Sequence, residues 1–394
     1  NATVSNAGTI VAQQADAIHF TQGGATLNLL AGSTIQGGLR FTGSGNSLNF
    51  APGQNAVMQL TGPGTLSVSA GGNPFVVTST AVAVLDRGGF VLTDAMALGL
   101  ADDLAAGAAS GQQQCLSLAA GNDCATTAWL GGFSGFGEQP GGPALASRQQ
   151  RGGGLMGIEF GARGGIFLGA VGAHGSTGSK HEAGVTGTVA GGHASFAQNG
   201  YFADFYASVG VLQVASNRTV ADSSVSGGID IATASQTVQF ISPAITVGGE
   251  VATGAGVLTP SLRLRYTGLQ LGGYSETGAS GLVVDSRLVH ELDLRAELAL
   301  ALPPLETERG TLSASLRAGA DIVHQHSETV TARLLGQPIS FSAGGDGTRL
   351  RGFAATELGY TLANGARLFG SLETSRDTSG GYSGTARAGL SGSF

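Results

Sequence analysis

The sequence is poor in charge, proline and long apolar runs, and each shortage excludes a class of protein. Charged residues make up 11% of the chain, against about 25% in an average soluble protein. Proline occurs only 10 times in 394 residues, so the chain is not a proline-rich disordered segment. No apolar run reaches the roughly 18 residues that a transmembrane helix needs. The net charge of −7 offers no basic stripe for phosphates, which argues against a nucleic-acid partner.

Cysteine is also scarce, and its two occurrences lie close together. Cys115 and Cys124 enclose the segment LSLAAGND. In an oxidising compartment this spacing favours a small disulfide loop, and two free thiols are the alternative. The spacing matches no zinc pattern, and we expect no metal or other cofactor. The chain starts at Asn1 without a basic segment and apolar core, so we expect a mature product or part of a longer protein.

Glycine, in contrast, is abundant, and in residues 1–92 it separates short apolar runs. Gly accounts for 68 residues, more than twice its usual share of about 7%. Runs such as 25–30, 33–35 and 56–60 alternate Thr, Val, Ile and Leu between Gly and Asn turns. Their spacing predicts a β-helix-like stem, with a small sandwich as the alternative. We expect no catalysis here, because His19 and Asp16 have no recognisable nucleophile nearby.

Residues 93–124 have a different composition, which predicts a single helix. The segment TDAMALGLADDLAAGAASGQQQC is rich in Ala and Leu, and Thr93 or Asp94 can cap its start. Met96, Leu100 and Leu104 follow a helical period. Its small residues make the helix slim. It either packs on the stem as a linker or threads the lumen of a barrel.

Residues 125–394 show a sustained alternation of apolar and polar positions. Leu292, Leu294 and Leu298, for example, share one face, while Asp293 and Arg295 lie on the other. Such strands reach roughly fifteen residues, whereas globular strands have about 5 to 6 and a membrane-crossing strand about 9 to 11. We predict an all-β fold with a 12-stranded antiparallel transmembrane β-barrel. The predicted strands are 126–136, 152–163, 165–177, 183–197, 201–216, 233–251, 256–272, 281–301, 310–326, 346–362, 365–375 and 382–394.

The polar face of these strands is expected to line the lumen. Charges there can pair across neighbouring strands, which lipid-facing positions could not tolerate. These charges either solvate the lumen or hold a helix or a passing chain. We accordingly expect Asp at Leu294 to cost more stability than Asp at Arg295. The predicted lumen-lining set is Glu159, Arg263, Arg265, Arg287, Glu291, Asp293, Arg295, Glu297, Arg317, Asp321, Arg349, Arg351, Glu357, Arg367, Glu373 and Arg387.

Links between strands predict two different ends of the barrel. Gly164 and the pair 363–364 are short and are expected to be periplasmic turns. The segments 217–231 and 327–345 are longer and polar, and are expected to be extracellular loops. Five histidines, His174, His181, His290, His324 and His326, have no Ser or Asp in a recognisable triad. We therefore expect surface histidines rather than an enzyme.

The final strand, YSGTARAGLSGSF, alternates apolar and polar residues and ends on the aromatic Phe394. With the segments GFVLTDAMALGLADDLA and AWLGGFSGFG and the ending from LGYTLANGARLFG onward, it resembles the autotransporters of type V secretion. The resemblance covers essentially the whole chain. It divides the chain into the end of a passenger (1–92), a linker with a lumen helix (93–124) and a β-barrel translocator (125–394).

The resemblance implies a function and partners. The barrel would insert as a monomer into outer-membrane lipid, aided by periplasmic chaperones and the barrel assembly machinery. That machinery would read Tyr382, Leu390 and Phe394 in the last strand. The barrel would export its own N-terminal passenger and hold the stem at the cell surface. The helix has no asparagine, so self-cleavage at paired asparagines is not expected. The alternatives are a porin-like channel with an appended β-domain, and a barrel hydrolase.

Overall fold

The computed structural model describes residues 2–112, 126–141, 146–278 and 281–393, and it begins with a stem of short strands. Two parallel sheets face each other, with the orders β1-β3-β5-β7 and β2-β4-β6, after which β9 pairs antiparallel with both β6 and β8. The stem strands are β1 (Thr3–Asn6), β2 (Thr9–Phe20), β3 (Thr26–Leu29), β4 (Thr34–Phe41), β5 (Asn46–Phe50), β6 (Ala56–Gly62), β7 (Leu66–Ser69), β8 (Phe75–Val77) and β9 (Ala81–Val84).

Equivalent residues of successive stem strands stack on one another. Leu27 lies opposite Leu48 in the parallel ladder, and both are fully buried between the sheets. Phe20 stacks on Phe41 with ring centroids 5.3 Å apart. Repetition of like residues on parallel rungs is how a β-helix buries its core. The predicted β-helix-like stem is confirmed, and the small sandwich is wrong.

One helix, α1 (Gly88–Gln112), follows the stem. It begins five residues before the predicted Thr93, because Asp86 accepts a hydrogen bond from the Gly88 amide at 3.0 Å and starts the first turn there. Gly88 and Gly89 have low helix propensity, so the sequence does not predict this first turn. Within the described residues, no helix is both long and apolar enough to cross a membrane.

The remaining strands build the barrel and its loops. Within the described residues, twelve long strands pair antiparallel with their neighbours, and β27 pairs with β10 to close the barrel. The predicted 12-stranded barrel is confirmed. The strands are β10 (Thr127–Gln139), β11 (Ser147–Glu159), β12 (Gly164–Thr177), β13 (His181–Gln198), β14 (Tyr201–Asp222), β15 (Ile229–Gly249), β16 (Val251–Thr253), β17 (Gly256–Leu271), β18 (Tyr274–Ser275), β19 (Val283–Val284), β20 (Arg287–Ala301), β21 (Leu305–Thr307), β22 (Gly310–Ser327), β23 (Val330–Leu334), β24 (Gln337–Phe341), β25 (Gly347–Leu362), β26 (Arg367–Asp377) and β27 (Tyr382–Ser393).

The two ends of the barrel differ as the links predict. Short links, including 160–163 and 363–366, lie at the end opposite the stem, and the long links lie at the stem end. Three predicted boundaries are wrong. The predicted strand 152–163 begins earlier, at Ser147, and ends at Glu159. The predicted loop 217–231 shrinks to 223–228, because β14 and β15 keep pairing beyond Asn217. The predicted strand 281–301 starts only at Arg287, because β19 leaves the barrel and joins β18, β23 and β24 in a separate small sheet.

Candidate functional site

The helix α1 occupies the lumen of the barrel. It contacts the inner faces of β10 to β15, β17 and β27. Gly89 lies against His181, where an added Cβ would come within 2.6 Å of the imidazole ring. Gly99 lies against Arg151, where a Cβ would come within 2.8 Å of the guanidinium carbon. The small residues of this helix therefore let it fit between the walls.

The large apolar side chains of α1 pack against an apolar half of the lumen. Leu92, Met96, Leu100 and Leu104 are fully buried. Burying each such side chain contributes about 1.5–3 kcal/mol relative to leaving it exposed. Their partners on the barrel wall include Phe133, Leu155, Phe167, Val171, Val185, Leu212 and Val238.

The helix α1 also carries three aspartates, and each contacts arginine on the barrel wall. Asp94 receives a hydrogen bond from Arg287 at 3.0 Å. Asp102 lies between Arg265, at 2.8 Å, and Arg351, at 3.2 Å.

Asp103 is the third of these aspartates, and it lies on the same helical face as Met96. One of its oxygens accepts from Arg151 at 2.7 Å, and the other accepts from the Thr385 hydroxyl at 2.9 Å. Charge-assisted hydrogen bonds of this kind are about twice as strong as neutral ones. The three aspartates thus fix both the height and the rotation of α1 in the lumen.

The arginines that hold the helix belong to a wider network on the wall. Asp293 accepts from both Arg263 and Arg265 at 3.1 Å. Asp321, which is fully buried, accepts from Arg295 and from Arg351, each at 2.7 Å. Neighbouring charges on β17, β20, β22 and β25 therefore neutralise one another while the arginines also reach α1.

The predicted lumen-lining residues all lie on the inner face of the barrel. Further pairs join Arg349 to Glu291 at 3.0 Å and Arg317 to Glu297 at 3.6 Å. At the end opposite the stem, Glu159 accepts from the Trp129 indole at 2.8 Å. Other contacts link Arg367 with Glu357 at 3.5 Å, Arg387 with Glu373 at 3.7 Å, and Arg295 with Glu373 at 3.2 Å.

Four charged residues of this site are missing from the predicted set. The set contains nine arginines and seven carboxylates, an excess of two positive charges. Arg151 and the helix residues Asp94, Asp102 and Asp103 complete it, so that ten arginines face ten carboxylates within this group. The predicted wall set has more arginines than carboxylates, and the charged residues of the helix are all aspartates. This signal in the sequence could have identified the ion pairs between the wall and the helix.

The outer face of the barrel is apolar. Leu294 is 42% exposed, whereas the adjacent Arg295 is 5% exposed. Of the residues predicted to signal assembly, Leu390 lies on this outer face near the end opposite the stem. Tyr382 also points outward, but at the stem end, where it packs edge-on against Phe136 with ring centroids 6.1 Å apart. Phe394, Cys115 and Cys124 lie outside the described residues.

The stem joins the barrel through a polar junction at the start of α1. Asn55 of the stem accepts hydrogen bonds from the Asp86 amide at 2.8 Å and from Arg218 of β14 at 3.0 Å. Arg218 also pairs with Glu276 of the loop after β17. Ser179, in the turn after β12, donates to the Asp86 carboxylate at 2.7 Å. Burial raises the pKa of that carboxyl group above its ordinary value.

Barrel strand β14 also extends directly into the stem. Ala221 and Asp222 pair in parallel with Ala56 and Val57 of β6. Beside this pairing, an apolar cluster joins the stem to the small sheet formed by the loops. It includes Val57, Val76, Ala83, Leu85, Phe90, Val220, Leu282, Val284, Val330 and Ala332. The loops at this end therefore pack on the stem rather than extending into solvent.

The five histidines considered in the sequence analysis lie in different surroundings. His174 lies exposed on the outer face of β12, and His181 is buried at the junction beside Gly89. His290, His324 and His326 lie on the outer face of β20 and β22. Among the described residues, no group of three His, Cys, Asp or Glu side chains could hold a metal ion.

Comparison with known proteins gives a family and a fold. The family described as "Autotransporter beta-domain" matches residues 128–373, more than half of the chain. The translocator domain of autotransporter NalP from Neisseria meningitidis is 17% identical and covers 77% of this chain and 97% of its own, with a TM-score of 0.57. The β-domain of the Bordetella autotransporter Brka is 16% identical and covers 68% and 100%, with a TM-score of 0.50. No curated relative matches the sequence.

Proposed function

This chain belongs to the autotransporter β-domain family, and we propose that its barrel delivers its own N-terminal passenger to the cell surface and is then closed by α1. The chain is thus an outer-membrane translocator domain, and the family favours this function over a porin or a hydrolase. The barrel of NalP, which is a translocator, supports the same fold. The family is a transport family, and we propose that the barrel itself catalyses no reaction.

The single observation that carries the closing role is the enclosure of α1 in the lumen. The helix starts at the stem, at one end of the barrel, and leads toward the other end, where β10 begins at Thr127. We propose that the passenger passes through the lumen and leaves the helix in this position. Apolar packing, together with three buried or partly buried aspartates, gives the helix a defined resting position.

We propose the domain division that follows from this route. The predicted division was 1–92, 93–124 and 125–394, and the start of α1 at Gly88 moves its first boundary. Residues 1–87 would then form the end of the passenger, 88–124 the linker and 125–394 the translocator. The stem would lie at the cell surface, which agrees with its contacts to the longer loops. The barrel assembly machinery and periplasmic chaperones would act before insertion. Leu390 on the lipid-facing side of β27, together with Phe394, would supply the assembly signal.

The lumen charges have a specific role in this proposal. Removing one partner from a buried ion pair leaves an uncompensated charge and costs about 3–5 kcal/mol. Asp94 and Arg287 are both nearly fully buried, so this pair is expected to approach that range. Asp102 is one-quarter exposed, and its pairs are expected to contribute less because water screens them. Together the pairs would keep α1 in the lumen after export.

The closing role can be tested by single-channel conductance in a planar bilayer. The full chain with Asp94→Asn, Asp102→Asn and Asp103→Asn keeps the helix shape but removes its charges. We expect low conductance for the unchanged chain and frequent large openings for the triple variant. Asp16→Asn is the matched control, since it removes a carboxylate that pairs with Arg40 in the stem. Equally large conductance for the unchanged chain and the triple variant would favour a porin.

The orientation is tested separately on intact cells. Added protease should reach the stem when the translocator has exported it, and should leave the barrel embedded. A stem that is digested only after the outer membrane is opened would contradict export.

A further inference from the structure

The outer surface of the barrel carries a histidine cluster formed by His290 of β20 and His324 and His326 of β22. His290 lies directly opposite His326 in the ladder between these strands, and His324 lies one pair further along the same face. The neighbouring strands add Tyr266 and Thr348. None of these side chains takes part in the lumen network.

The histidine cluster lies where the apolar outer band ends. On β22 the outward residues from Leu312 to Ile322 are leucine, alanine or isoleucine, and the next two are His324 and His326. Ten residues at about 3.3 Å each, tilted by roughly 40°, span about 25 Å, the height of the apolar band of such barrels. On β20 the outward residues from Leu300 to Leu292 are leucine or alanine, His290 follows them, and Leu288 lies beyond it on the stem side. The cluster therefore meets the boundary between hydrocarbon and lipid headgroups at the stem end.

Two of the imidazole rings are fixed by neighbouring hydroxyl groups. Nδ1 of His290 lies 2.7 Å from the Tyr266 hydroxyl, and the two rings also stack with centroids 5.9 Å apart. Nδ1 of His324 lies 2.9 Å from the Thr348 hydroxyl. A hydroxyl that donates to Nδ1 leaves the proton of a neutral imidazole on Nε2, and a protonated ring donates from both nitrogens. Each Nε2–H is then available to an acceptor outside the protein.

We propose that the histidine cluster binds the phosphate of a lipid headgroup in the leaflet on the stem side. Acyl chains would lie against Leu292, Leu294 and Ile322 directly below, while the Nε2–H donors would meet the phosphate oxygens. Asp346, whose carboxylate is 3.8 Å from His326, is the acidic neighbour of the cluster. Phosphate is the acceptor that such donors prefer, since it is charged and has several free oxygens.

The inference rests on the proposed function in one respect, namely that the leaflet on the stem side is the one at the cell surface. The test is native mass spectrometry of the detergent-solubilised full chain with phosphatidic acid, or with diacylglycerol of the same acyl chains. We expect phosphatidic acid to bind about tenfold more weakly to the triple variant His290→Leu, His324→Leu, His326→Leu, as one lost charge-assisted hydrogen bond would give. Diacylglycerol binding should not change. Micelles have no leaflets, so a failure of export would leave this result unaffected.

Two controls sharpen the test. His174→Leu removes a single exposed histidine from the outer face of β12, and it should leave phosphatidic acid binding unchanged. Tyr266→Phe with Thr348→Val keeps all the histidines but frees their rings, and it should weaken binding by a smaller factor. This second variant also serves if the triple variant does not fold.

Three results would overturn the inference. The first is equal binding of phosphatidic acid by the unchanged chain and the triple variant. The second is an equal loss for phosphatidic acid and diacylglycerol, which would indicate acyl-chain contacts alone. The third is complete displacement of phosphatidic acid by millimolar inorganic phosphate, which would indicate a site for the free anion rather than a lipid.

Discussion

Aspartate placed at two adjacent residues of β26 tests which face of the barrel meets lipid. Leu372 is 60% exposed on the outer face, and Ser371 is 6% exposed on the inner face. Ser371 lies opposite Arg387 of β27 and Glu357 of β25 in the ladders. Both residues are in the middle of the strand, so the two substitutions differ mainly in the face that they occupy.

The expected magnitudes differ clearly. A basic residue on the lipid face near the bilayer midplane costs about 2–4 kcal/mol, and an acidic one less. We therefore expect Leu372→Asp to lower the free energy of unfolding by about 1–3 kcal/mol. Ser371→Asp places a carboxylate between Arg387 and Glu357, where attraction to the first offsets repulsion from the second and the cost of desolvation, and we expect a change within about 1 kcal/mol.

Equilibrium unfolding by urea in lipid vesicles measures both effects. The chain has a single tryptophan, Trp129, which is buried in the lumen at 4% exposure and reports loss of the barrel by its fluorescence. A larger loss of stability from Ser371→Asp than from Leu372→Asp would refute the assignment of the two faces.

The structure changes the expectation for Arg295. The sequence suggests that Asp is milder at Arg295 than at Leu294, because Arg295 faces the lumen. The guanidinium of Arg295, however, pairs with Asp321 at 2.7 Å and lies 3.9 Å from the ring centroid of Phe353. Arg295→Asp would remove this cation and set a new anion beside a fully buried carboxylate. We now expect the reverse order, with a loss above about 3 kcal/mol at Arg295.

Three further predictions concern the junction and the last strand. Asn55→Leu removes the acceptor of Arg218 and of the Asp86 amide, and calorimetry should show a destabilisation of the stem by about 1–3 kcal/mol. Burial raises the pKa of Asp86, so the folded junction binds a proton that the unfolded chain has released. Its stability should therefore fall as pH rises through the window above the ordinary carboxyl pKa, and Asp86→Asn should flatten that part of the unfolding profile. Phe394→Ser should reduce the yield of folded barrel in cells, measured by heat-modifiable gel mobility, and an unchanged yield would contradict a role in assembly.

The barrel was easiest to predict on strands whose two faces differ in polarity. On β20, leucines alternate with charged residues, because lipid lies on one side and the ion-pair network on the other. On β14, Val209 and Val211 point outward while Leu212 and Val214 point inward to the apolar cluster around α1. The alternation between apolar and polar residues is weak on β14, because one face meets lipid and the other meets the apolar cluster around α1.

The contacts of the helix could not be predicted from local sequence. The pairing of Asp94 with Arg287 joins residues 193 positions apart. Alternation identifies which residues enter the lumen but not their height along it, which depends on the stagger between strands. The start of α1 was missed for a local reason, since two glycines replace the usual helix-forming residues and Asp86 provides the cap from outside the segment.

The strand pairing between β14 and β6 has a mechanical consequence. The link after β14 donates its Ser223 amide to Val57 at 3.0 Å and accepts from Gly37 at 2.8 Å. A pull on the stem along β14 would load the parallel Ala221–Ala56 pairing in shear, so that its hydrogen bonds resist together. The load would pass into the barrel wall and spare α1 from being drawn out of the lumen.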